Sequence, residues 1–333
     1  MISESPAALT AKRLASLVRH RELELFSLTG TTGGEPLRVL VADDGATLSY
    51  VKALAFEDEP DVKRVGKSGA FAAPGLAGAG ADVVVVGANC MLSGLYARNG
   101  FTLVPKWVRL FLPTTEETYP RLYNFGRQTR KYFKWMLKKV KEEGFECDIV
   151  SDPSWLRVFY DDMYTPYAKS RFGELAVVHS LSEVRRKFSS GFGVVVGKGG
   201  EPVAGAVISR RGRVISIPHF GVVESNLDAY RAGGNFALDY FVVEWAHSSG
   251  IERVDFGHSR AFLTDGVLRY KLNWHMDVVD DDDAIGVFAI ATPGRTPSAR
   301  RFLARNRFYE LTPDGPRLTG GSVEEEEGGR EPA

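Results

Sequence analysis

The chain has 333 residues, of which 44% are hydrophobic and 25% are charged, so it is long enough for two compact units and too apolar for a disordered chain. Its 42 basic and 42 acidic residues cancel, which excludes a global charge that would draw the whole molecule to nucleic acid or an anionic membrane. The two cysteines and the lack of any apolar run near ~20 residues exclude a disulfide framework, a zinc cluster and a membrane span, and predict a cytoplasmic protein without a metal site.

The first third of the chain predicts a helix, a hairpin and a strand–helix–strand unit. Apolar residues at helical spacing predict a helix up to about His20. The runs PLRVLVAD and TLSYVKALAF flank Asp44-Gly45 and predict a β-hairpin. The Gly-rich residues 66–81 fit neither a P-loop nor a dinucleotide fingerprint and predict a connection or a loose helix. DVVVVGAN predicts a buried strand, CMLSGLYARNGF a helix, and FTLVPKWVRLFLP another strand.

The clearest predicted helix is RQTRKYFKWMLKKVKEE, residues 127–143. Apolar residues such as Phe133 and Val140 fall on one face. The basic residues recur on the other face: Arg127, Arg130, Lys131, Lys134, Lys138 and Lys141. This basic face is either a solvated surface or a track for nucleic-acid phosphates, and the sequence leaves both interpretations open.

The second half predicts helices over DPSWLRVFYDDMYTPYAKSRFG and then three strands over GFGVVVGKGGEPVAGAVISRRGRVISIPHFGVV. NFALDYFVVEWAHSSG predicts a helix, and IERVDFG a strand. DVVDDDD lacks the spacing of a calcium loop and predicts an acidic loop. The acidic tail from about Pro313 predicts disorder.

Two stretches of the chain repeat one pattern, VVVVGANCMLSGLYARNGFTLV and RVDFGHSRAFLTDGVLRYKLNWHMDVV. Each has a strand that ends on Gly, a small polar residue two positions later, a helical segment with a Tyr, and a further strand. The repetition indicates two like units packed in tandem.

The first copy resembles the closing signature of the GNAT acyltransferase superfamily, through Val85, Asn89, Leu95, Tyr96, Gly100 and Phe101. Two such halves with a basic helix between them resemble the FemABX group, and the second half resembles BioF2-like acetyltransferase domains. The resemblance implies an α/β (α+β) fold of two tandem GNAT-like units with mixed central sheets flanked by helices. The predicted division is an N-terminal unit 1–125, a connecting helix 126–143, a C-terminal unit 144–312 and an acidic disordered tail 313–333.

The resemblance implies an N-acyltransferase that forms an amide with an amine of a small molecule or peptide, without a bound cofactor. Acyl-CoA members hold the donor pyrophosphate on a glycine loop at a helix N-terminus, and Arg231, Gly233 and Gly234 keep part of that pattern. Phe236 replaces its small third residue and would crowd a phosphate. FemABX-like enzymes use aminoacyl-tRNA instead, and the basic helix favours that donor. Acyl-CoA, and a non-catalytic scaffold that binds RNA or protein, remain alternatives. The oligomeric state is not predicted.

The candidate catalytic residues are Glu224, His219 and Lys271. Glu224 and His219 lie at the end of the IPHFGVV strand, where GNAT-like sites place a base, although a capping acid and a core histidine are the alternatives. Lys271 resembles a lysine near the end of FemABX-like sequences, and Tyr96 resembles the GNAT tyrosine that protonates a thiolate. Ion pairing of Lys271 and Arg260 with Asp255 or Asp265 is the alternative to function. The candidate acceptor-binding residues are Asp255, Ser259, Arg260, Asp265, Tyr270, Tyr164, Tyr167 and Arg171.

Overall fold

The computed structural model describes residues 5–116, 127–172, 178–223, 227–281 and 283–319. The strands are β1 (Glu22–Thr32), β2 (Glu35–Asp43), β3 (Asp61–Gly69), β4 (Val83–Asn89), β5 (Thr102–Pro105), β6 (Val108–Pro113), β7 (Phe145–Val150), β8 (Gly191–Lys198), β9 (Glu201–Arg211), β10 (Val214–Val222), β11 (Arg253–Ser259), β12 (Asp277–Val279), β13 (Gly286–Ala291), β14 (Tyr309–Thr312) and β15 (Gly315–Leu318). The α-helices are α1 (Pro6–Arg19), α2 (Thr47–Ala55), α3 (Ser93–Arg98), α4 (Arg127–Glu142), α5 (Trp155–Val158), α6 (Thr165–Phe172), α7 (Leu181–Phe188), α8 (Leu227–Ala229), α9 (Asn235–Ser248), α10 (Gly266–Asn273) and α11 (Pro297–Arg305). Short 3₁₀ segments cover Ala73–Gly78 and Cys90–Leu92, and π-helical segments cover Phe159–Tyr164 and Tyr230–Gly234.

Two large mixed sheets organise these elements. The first has the strand order β3-β1-β2-β4-β13-β5, and the second has the order β12-β6-β11-β10-β9-β8-β7. A two-stranded sheet joins β14 to β15. The predicted fold class, α/β with two mixed sheets flanked by helices, is confirmed.

The two sheets share one arrangement around a parallel pair. In the first, β2 and β4 are parallel, and β13 then lies between β4 and β5. In the second, β10 and β11 are parallel, and β6 then lies between β11 and β12. Each sheet therefore takes an inner strand from the other half of the chain, and the repeated sequences occupy equivalent places, as β4–α3–β5 and β11–α10–β12.

This strand exchange determines the compact units. One unit comprises Leu110–Gly257 and Lys271–Asp277, and the other comprises Ile2–Arg109, His258–Tyr270 and Val278–Ala333. These units differ from the linear division at 125 and 144, because a strand's hydrogen-bonded neighbours, and not its place in the chain, decide which core it joins. Helix α4 belongs to the unit of the second sheet rather than standing between two units.

One predicted hairpin is wrong, because Thr47–Ala55 forms helix α2 and the hairpin partner of β2 is β1. The Asp43 carboxylate accepts hydrogen bonds from the backbone N–H groups of Thr47 and Leu48 at 2.8 and 3.2 Å. A side-chain acceptor at this place satisfies the unpaired donors of a first helical turn. A short apolar run fits a strand or a helix equally well, and here the capping carboxylate favours the helix.

Two other expectations differ from the structure. FTLVPKWVRLFLP is two strands, β5 and β6, which belong to different sheets, and the break follows Pro105, whose ring removes a donor from the ladder. The predicted disorder from Pro313 is wrong for Gly315–Leu318, which pair with Tyr309–Thr312. Residues 320–333 lie outside the described residues.

The core of the second sheet depends on three glycines that lie under one helical layer. A Cβ added at Gly193 would lie 2.5 Å from the Trp155 ring, and one added at Gly205 would lie 3.0 Å from the Met163 sulfur. One added at Gly221 would lie 2.5 Å from the Met163 carbonyl carbon. These strands therefore accept the helical layer only because they lack side chains at the contacts, and the layer carries Tyr164 onto the end of β10.

Candidate functional site

The second sheet opens between β10 and β11. The two strands pair only over Val214–Ser216 and Arg253–Asp255. Beyond these residues β10 continues to Val222 and β11 to Ser259, without pairing to each other. His219 lies on the divergent part of β10.

His219 is buried without hydrogen bonds. Its side chain is 3% exposed, and within the described residues neither ring nitrogen has a hydrogen-bond partner. Its ring packs edge-on against Tyr164 and His179, with centroid separations of 5.3 Å in both cases. An unpaired buried polar group costs about 1–3 kcal/mol. The alternative interpretation of His219 was a core histidine with satisfied hydrogen bonds. The described residues do not provide those hydrogen bonds.

His179 and Glu183 lie beside His219 and are partly exposed. Glu183 Oε2 lies 2.9 Å from His179 Nδ1. The side chains of His179 and Glu183 are 42% and 37% exposed, so this pair has contact with solvent that His219 lacks. The hydrogen bond from His179 lowers the pKa of Glu183, which is therefore ionised at neutral pH.

Two tyrosines of the π-helical segment hold the backbone of His179. The Tyr164 hydroxyl accepts a hydrogen bond from the His179 N–H group at 3.1 Å, and the Tyr160 hydroxyl donates to the His179 carbonyl at 3.1 Å. The extra residue in a π-turn changes which side chains share a helix face, and such turns are frequent at functional sites. Burial raises the pKa of Tyr164, so its hydroxyl keeps its proton.

The surroundings keep His219 neutral. Burial, and to a smaller extent the neighbouring His179, lower the pKa of His219 to about 4, whereas Glu183 opposes this shift. A neutral imidazole accepts a proton through its unprotonated nitrogen. At this pKa it accepts one from an acidic N–H group, such as that of a protonated tetrahedral intermediate, more readily than from a free ammonium ion.

Tyr167 and Arg171, two predicted acceptor-binding residues, lie near a separate aromatic group. The Tyr167 ring packs against Phe220 and Tyr230, with centroid separations of 5.0 and 6.1 Å. Burial raises the pKa of Tyr230, and Arg171 opposes that shift. Tyr164 and Tyr167 thus lie in one helical layer but contact different side chains.

Lys271 and Asp255 contact the same bend in β11. The Lys271 ammonium donates to the Phe256 carbonyl at 2.7 Å and lies 3.4 Å from the Gly257 carbonyl. The Asp255 carboxylate accepts from the Gly257 N–H group at 2.9 Å. Gly257 has φ 70°, a backbone conformation that favours glycine. Lys271 is 7% exposed and Asp255 3%, so both side chains stabilise this bend at the opening of the sheet.

The glycine loop before α9 is kinked and buried. Gly233 has the non-helical φ of 142°, and the Asn235 N–H group donates to the Tyr230 carbonyl across the kink. Gly233 and Gly234 are buried, and a Cβ added at either would meet the Phe145 ring at 3.5 Å. The Arg231 side chain is 70% exposed and lies 4.0 Å from the Asp228 carboxylate.

Phe236, which follows this loop, is a core residue. Its side chain is fully buried and packs against Phe133 and Trp274 with centroid separations of 5.0 Å. A loop that cradles pyrophosphate needs backbone N–H groups that face solvent. Here the glycines and Phe236 contact α4, β7 and α10 instead, so Gly233 and Gly234 serve packing.

Helix α4 has the predicted division into two faces. Phe133, Met136 and Val140 are buried. Lys131, Lys134 and Lys138 are exposed, and so are the Tyr132 and Trp135 rings at 37% and 55%. The side chains of Arg127 and Arg130 lie outside the described residues, as does Glu224.

The first sheet contains a cleft at its own opening. β2 and β4 pair as far as Ala42 and Val86, and a cleft of about 330 Å³ lies beyond this point. It is lined by apolar residues that include Leu17 and Ile285, and by the polar and aromatic residues Asp44, Asn89, Lys106, Trp107, Asp281 and Asp283.

Paired charges line this cleft. Asp44 and Lys106 form an ion pair, with side chains 16% and 13% exposed. Burial opposes ionisation of Asp44, yet the Lys106 ammonium lowers its pKa overall. A Cβ at Gly87 would lie 2.2 Å from the Thr47 hydroxyl and 2.7 Å from the Asp44 carboxylate, so glycine is needed there for Asp44 to reach the cleft.

Arg260, a predicted acceptor-binding residue, contacts Trp107 and Lys106, which line this cleft. Its guanidinium lies between two aromatic rings, 3.9 Å from the Trp107 centroid and 4.7 Å from the Tyr50 centroid. Its Nη1 donates to the Lys106 carbonyl at 3.4 Å. Burial lowers its pKa. Stacking on Trp107 joins Arg260 to a wall of the cleft.

Three other predicted residues near Arg260 are not among those that line the cleft: Ser259, Asp265 and Tyr270. Asp265 caps α10 by accepting from the Leu268 N–H group at 2.8 Å. Ser259 is 2% exposed, and its hydroxyl has no partner within the described ranges. Tyr270 is partly buried in α10. Tyr96 is fully buried and donates to the Ala70 carbonyl at 2.8 Å, as a packed core residue does.

Sequence reasoning missed His179, Glu183, Asp44 and Lys106. His179 and Glu183 are four residues apart, a spacing at which side chains meet on a helix, and this was the available signal for the pair. Asp44 was interpreted as a turn residue and Lys106 as part of a continuous strand. Their ion pair depends on contacts across the fold, which no local pattern reveals.

Two other classes of site are absent from the part of the chain that the structure describes. No group of three or more His, Cys, Asp or Glu side chains there could hold a metal ion. No helix there is long and apolar enough to cross a membrane.

Several solved structures are similar to this chain. The C-terminal DUF2156 domain of a putative lysylphosphatidylglycerol synthetase from Agrobacterium fabrum has 12% identity and a TM-score of 0.39, over 90% of this chain and 92% of that one. L-PGS from Bacillus licheniformis has 13% identity and a TM-score of 0.37, over 92% and 98%. FemX has 12% identity and a TM-score of 0.41, over 79% and 83%.

No protein-family model matches the chain, and no curated protein matches it. The functional assignment therefore depends on the chain's own sheets and side chains.

Proposed function

We propose that this chain is an acyltransferase of GNAT and FemABX type, which forms an amide by transferring an acyl or aminoacyl group to an amine of a small molecule or peptide. The observation that carries the proposal is His219, a buried imidazole without a described hydrogen-bond partner where β10 and β11 diverge. A group left unpaired at a cost in stability is a candidate to bind or react with a ligand.

In this mechanism His219 is the general base. The acceptor amine, in its neutral form, attacks the acyl carbonyl and forms a tetrahedral intermediate. His219 takes the proton from the attacking nitrogen. The carbonyl re-forms as the C–O or C–S bond to the donor breaks, and the leaving oxygen or sulfur takes a proton from solvent water. Glu224 remains a second candidate base. Lys271 remains a candidate to polarise the carbonyl, although its described contacts are with the backbone of β11.

An aminoacyl-tRNA is the donor that we favour over acyl-CoA. Burial of Gly233 and Gly234 beneath the Phe145 ring leaves the glycine loop with Arg231 little room for a pyrophosphate. The exposed face of α4 presents lysines together with the Tyr132 and Trp135 rings. Lysines neutralise phosphates, and exposed aromatic rings stack on bases. A tRNA donor places the reaction in the cytoplasm.

The acceptor amine is proposed to use the remaining predicted residues. In the unit of the second sheet these are Tyr164, Tyr167 and Arg171, which lie in the helical layer against β10. In the unit of the first sheet, Ser259, Arg260, Asp265 and Tyr270 belong to the stretch whose Arg260 borders the cleft. We propose this cleft as a binding site for one co-substrate.

The donor is tested by binding of the purified protein to acetyl-CoA in a calorimetric titration and to a mixture of charged tRNAs in a filter assay at low and high salt. We expect tRNA binding that weakens steeply with salt, and no heat with acetyl-CoA. Substituting Lys131, Lys134 and Lys138 by Glu should reduce both the affinity and the slope of log K against log salt, by roughly 0.7–0.9 per lost phosphate contact. The matched control substitutes exposed cations elsewhere, Lys12, Lys63 and Arg98, by Glu.

The chemistry is tested with His219→Gln. We expect roughly a 10²–10⁴-fold loss of transfer activity, with donor binding unchanged. Acetyl-CoA binding without tRNA binding would make acyl-CoA the donor in place of aminoacyl-tRNA. The proposal that the chain is an acyltransferase would stand. Full activity of His219→Gln would remove His219 from the mechanism.

A further inference from the structure

We propose that His179, positioned by Glu183, relays protons between His219 and solvent. This inference rests on the proposed function of His219 as a base and assigns roles to two residues that the sequence analysis did not identify. It addresses a need that the burial of His219 creates, because a base that is 3% exposed must lose the proton it has gained before the next turnover.

The first step is the tautomer of His179. Glu183 Oε2 lies 2.9 Å from His179 Nδ1, and an ionised carboxylate only accepts hydrogen bonds. His179 Nδ1 therefore carries the proton and donates to Glu183, and Nε2 carries the lone pair. A carboxylate in this place also stabilises the imidazolium that forms when Nε2 is protonated.

The second step is the orientation of His179 towards His219. Tyr164 and Tyr160 bind its backbone N–H and carbonyl groups at 3.1 Å, and Tyr164 also packs edge-on against the His219 ring. One side chain therefore fixes the distance between the two imidazoles. Their centroids are 5.3 Å apart in a T-shaped arrangement, and neither His219 nitrogen is hydrogen bonded to a described residue. The proposed relay therefore requires one water between the two rings.

The proton balance has three transfers. The attacking nitrogen gives its proton to a nitrogen of His219. His219 then gives a proton through the bridging water to His179 Nε2, and His179, which is 42% exposed, releases one to bulk water. Glu183 stays ionised throughout. No other bond forms or breaks in the relay.

The charged groups that face His219 have opposite effects on its protonation. His179 and Glu183 come from the segment around the start of α7, and Arg186 and Lys187 come from α7 itself. The positive charges of His179, Lys187 and Arg186 disfavour protonation of His219, whereas Glu183 favours it. Tyr164, from the π-helical segment, packs against the His219 ring, and burial raises the pKa of its hydroxyl. Glu183 is thus the one described group that promotes proton uptake by His219.

The test uses His179→Ala and Glu183→Gln in the full chain, with the pH dependence of kcat, chemical rescue and NMR titration of the His219 ring as readouts. In His179→Ala we expect kcat to fall roughly 10-fold or more with little change in KM, and to recover when imidazole is added. In Glu183→Gln we expect the His219 titration to move to lower pH. Ser182→Ala and Arg185→Gln, in the same helix, are the controls and should change neither readout.

The outcomes separate the relay from the proposed function. If His219→Gln abolishes transfer but His179→Ala retains the full kcat and pH profile, the relay is wrong and the base assignment stands. If no donor supports transfer, the proposed function fails, and the NMR titration still decides whether His179 and Glu183 are coupled to His219. A loss of kcat in His179→Ala that imidazole does not restore would assign His179 a structural role and overturn the relay.

Discussion

His219 combines burial with two unpaired ring nitrogens within the described residues, and these properties have opposite consequences for stability and activity. An apolar ring of similar size would remove the desolvation cost but could accept no proton. We expect His219→Phe to raise the free energy of unfolding by about 1 kcal/mol while it abolishes transfer activity. Urea unfolding monitored by circular dichroism measures the first effect, and an amide-forming assay the second.

The control for this prediction is the cross-strand neighbour of His219. Val207 is fully buried, and Val207→Ala should lower the free energy of unfolding by about 1–3 kcal/mol. Equal destabilisation by His219→Phe and Val207→Ala would mean that the imidazole is packed as well as any core side chain.

The same residue predicts a pH dependence of stability. The pKa of His219 is about 4 in the folded chain and near 6.5 when unfolded. Between these values the unfolded chain binds the proton that the folded chain excludes, so stability falls as pH decreases from about 6.5 towards 4. His219 contributes at most about 1.4 kcal/mol per pH unit to the slope of the unfolding free energy against pH. Urea unfolding across this range should show a shallower acid slope in His219→Phe, and an unchanged slope would contradict the assigned pKa.

The sequence reveals which residue types lie at strand ends. It does not reveal which side chains contact them in the fold. His219 was identified because it lies near the end of a predicted strand, and Lys271 because it resembles a FemABX lysine. The position of the His179–Glu183 pair beside His219 required knowing that a π-turn brings Tyr160 and Tyr164 against residue 179. A π-turn leaves no distinct local pattern, because its extra residue changes the contacts and not the composition.

At the scale of elements, the contact of the helical layer with β10 depends on Gly221. A Cβ there would lie 2.5–2.7 Å from backbone atoms of Met163 and Tyr164, whereas at Gly205 the closest atom belongs to the flexible Met163 side chain at 3.0 Å. We expect Gly221→Ala to destabilise the protein by about 3 kcal/mol or more and Gly205→Ala by about 1–2 kcal/mol. Thermal unfolding of both variants measures the difference. Equal effects would show that the helical layer moves without penalty.

A second element-scale prediction concerns Phe236, which the sequence placed at a donor loop. Its ring fills the core between Phe133 and Trp274, so Phe236→Ala should destabilise the chain by about 3–5 kcal/mol. It should not create affinity for acetyl-CoA, because the glycines before it stay covered by Phe145. Unfolding and calorimetric titration of the same sample test both statements. Acetyl-CoA binding by Phe236→Ala would restore the pyrophosphate-loop interpretation.

Most helices and strands were predictable from periodicity, and the exceptions have local physical causes. Helix α4 and strand β4 follow long or uniformly apolar patterns, which specify their type well. Helix α2 was predicted as a strand because nine residues are too few to distinguish the helical period of hydrophobic residues from the strand period. The break between β5 and β6 was missed because Pro105 can end a strand without a change in hydrophobicity.

At the scale of the whole molecule, strand exchange makes each sheet depend on both halves of the chain. A fragment of residues 1–125 lacks β13, whose residues Val287–Ala291 are buried between β4 and β5. We expect this fragment not to fold alone and to gain structure when residues 126–333 are supplied in trans. Circular dichroism and amide exchange of the separate and mixed fragments measure this. A cooperative transition in the isolated fragment would contradict the prediction.

Domain boundaries drawn along the sequence could not reveal that β6 and β13 each join the sheet of the other half of the chain. The sequence analysis predicts a strand at 102–113 and none at 286–291, and hydrophobic patterns carry no information about which sheet a strand joins. The duplication indicated two like units, and this level of the architecture was predictable.

The exchange also has a consequence for biosynthesis. Among the described strands, β13 is the hydrogen-bonded neighbour of β5 in its sheet, so a ribosome must translate about 180 residues after β5 before the first sheet is complete. Until then the edge of β4 that will receive β13 is exposed, and an unpaired apolar edge promotes association between nascent chains. The first sheet therefore cannot close before β13 is synthesised, and the yield of native protein should depend on the rate of elongation and on chaperones that shield β4.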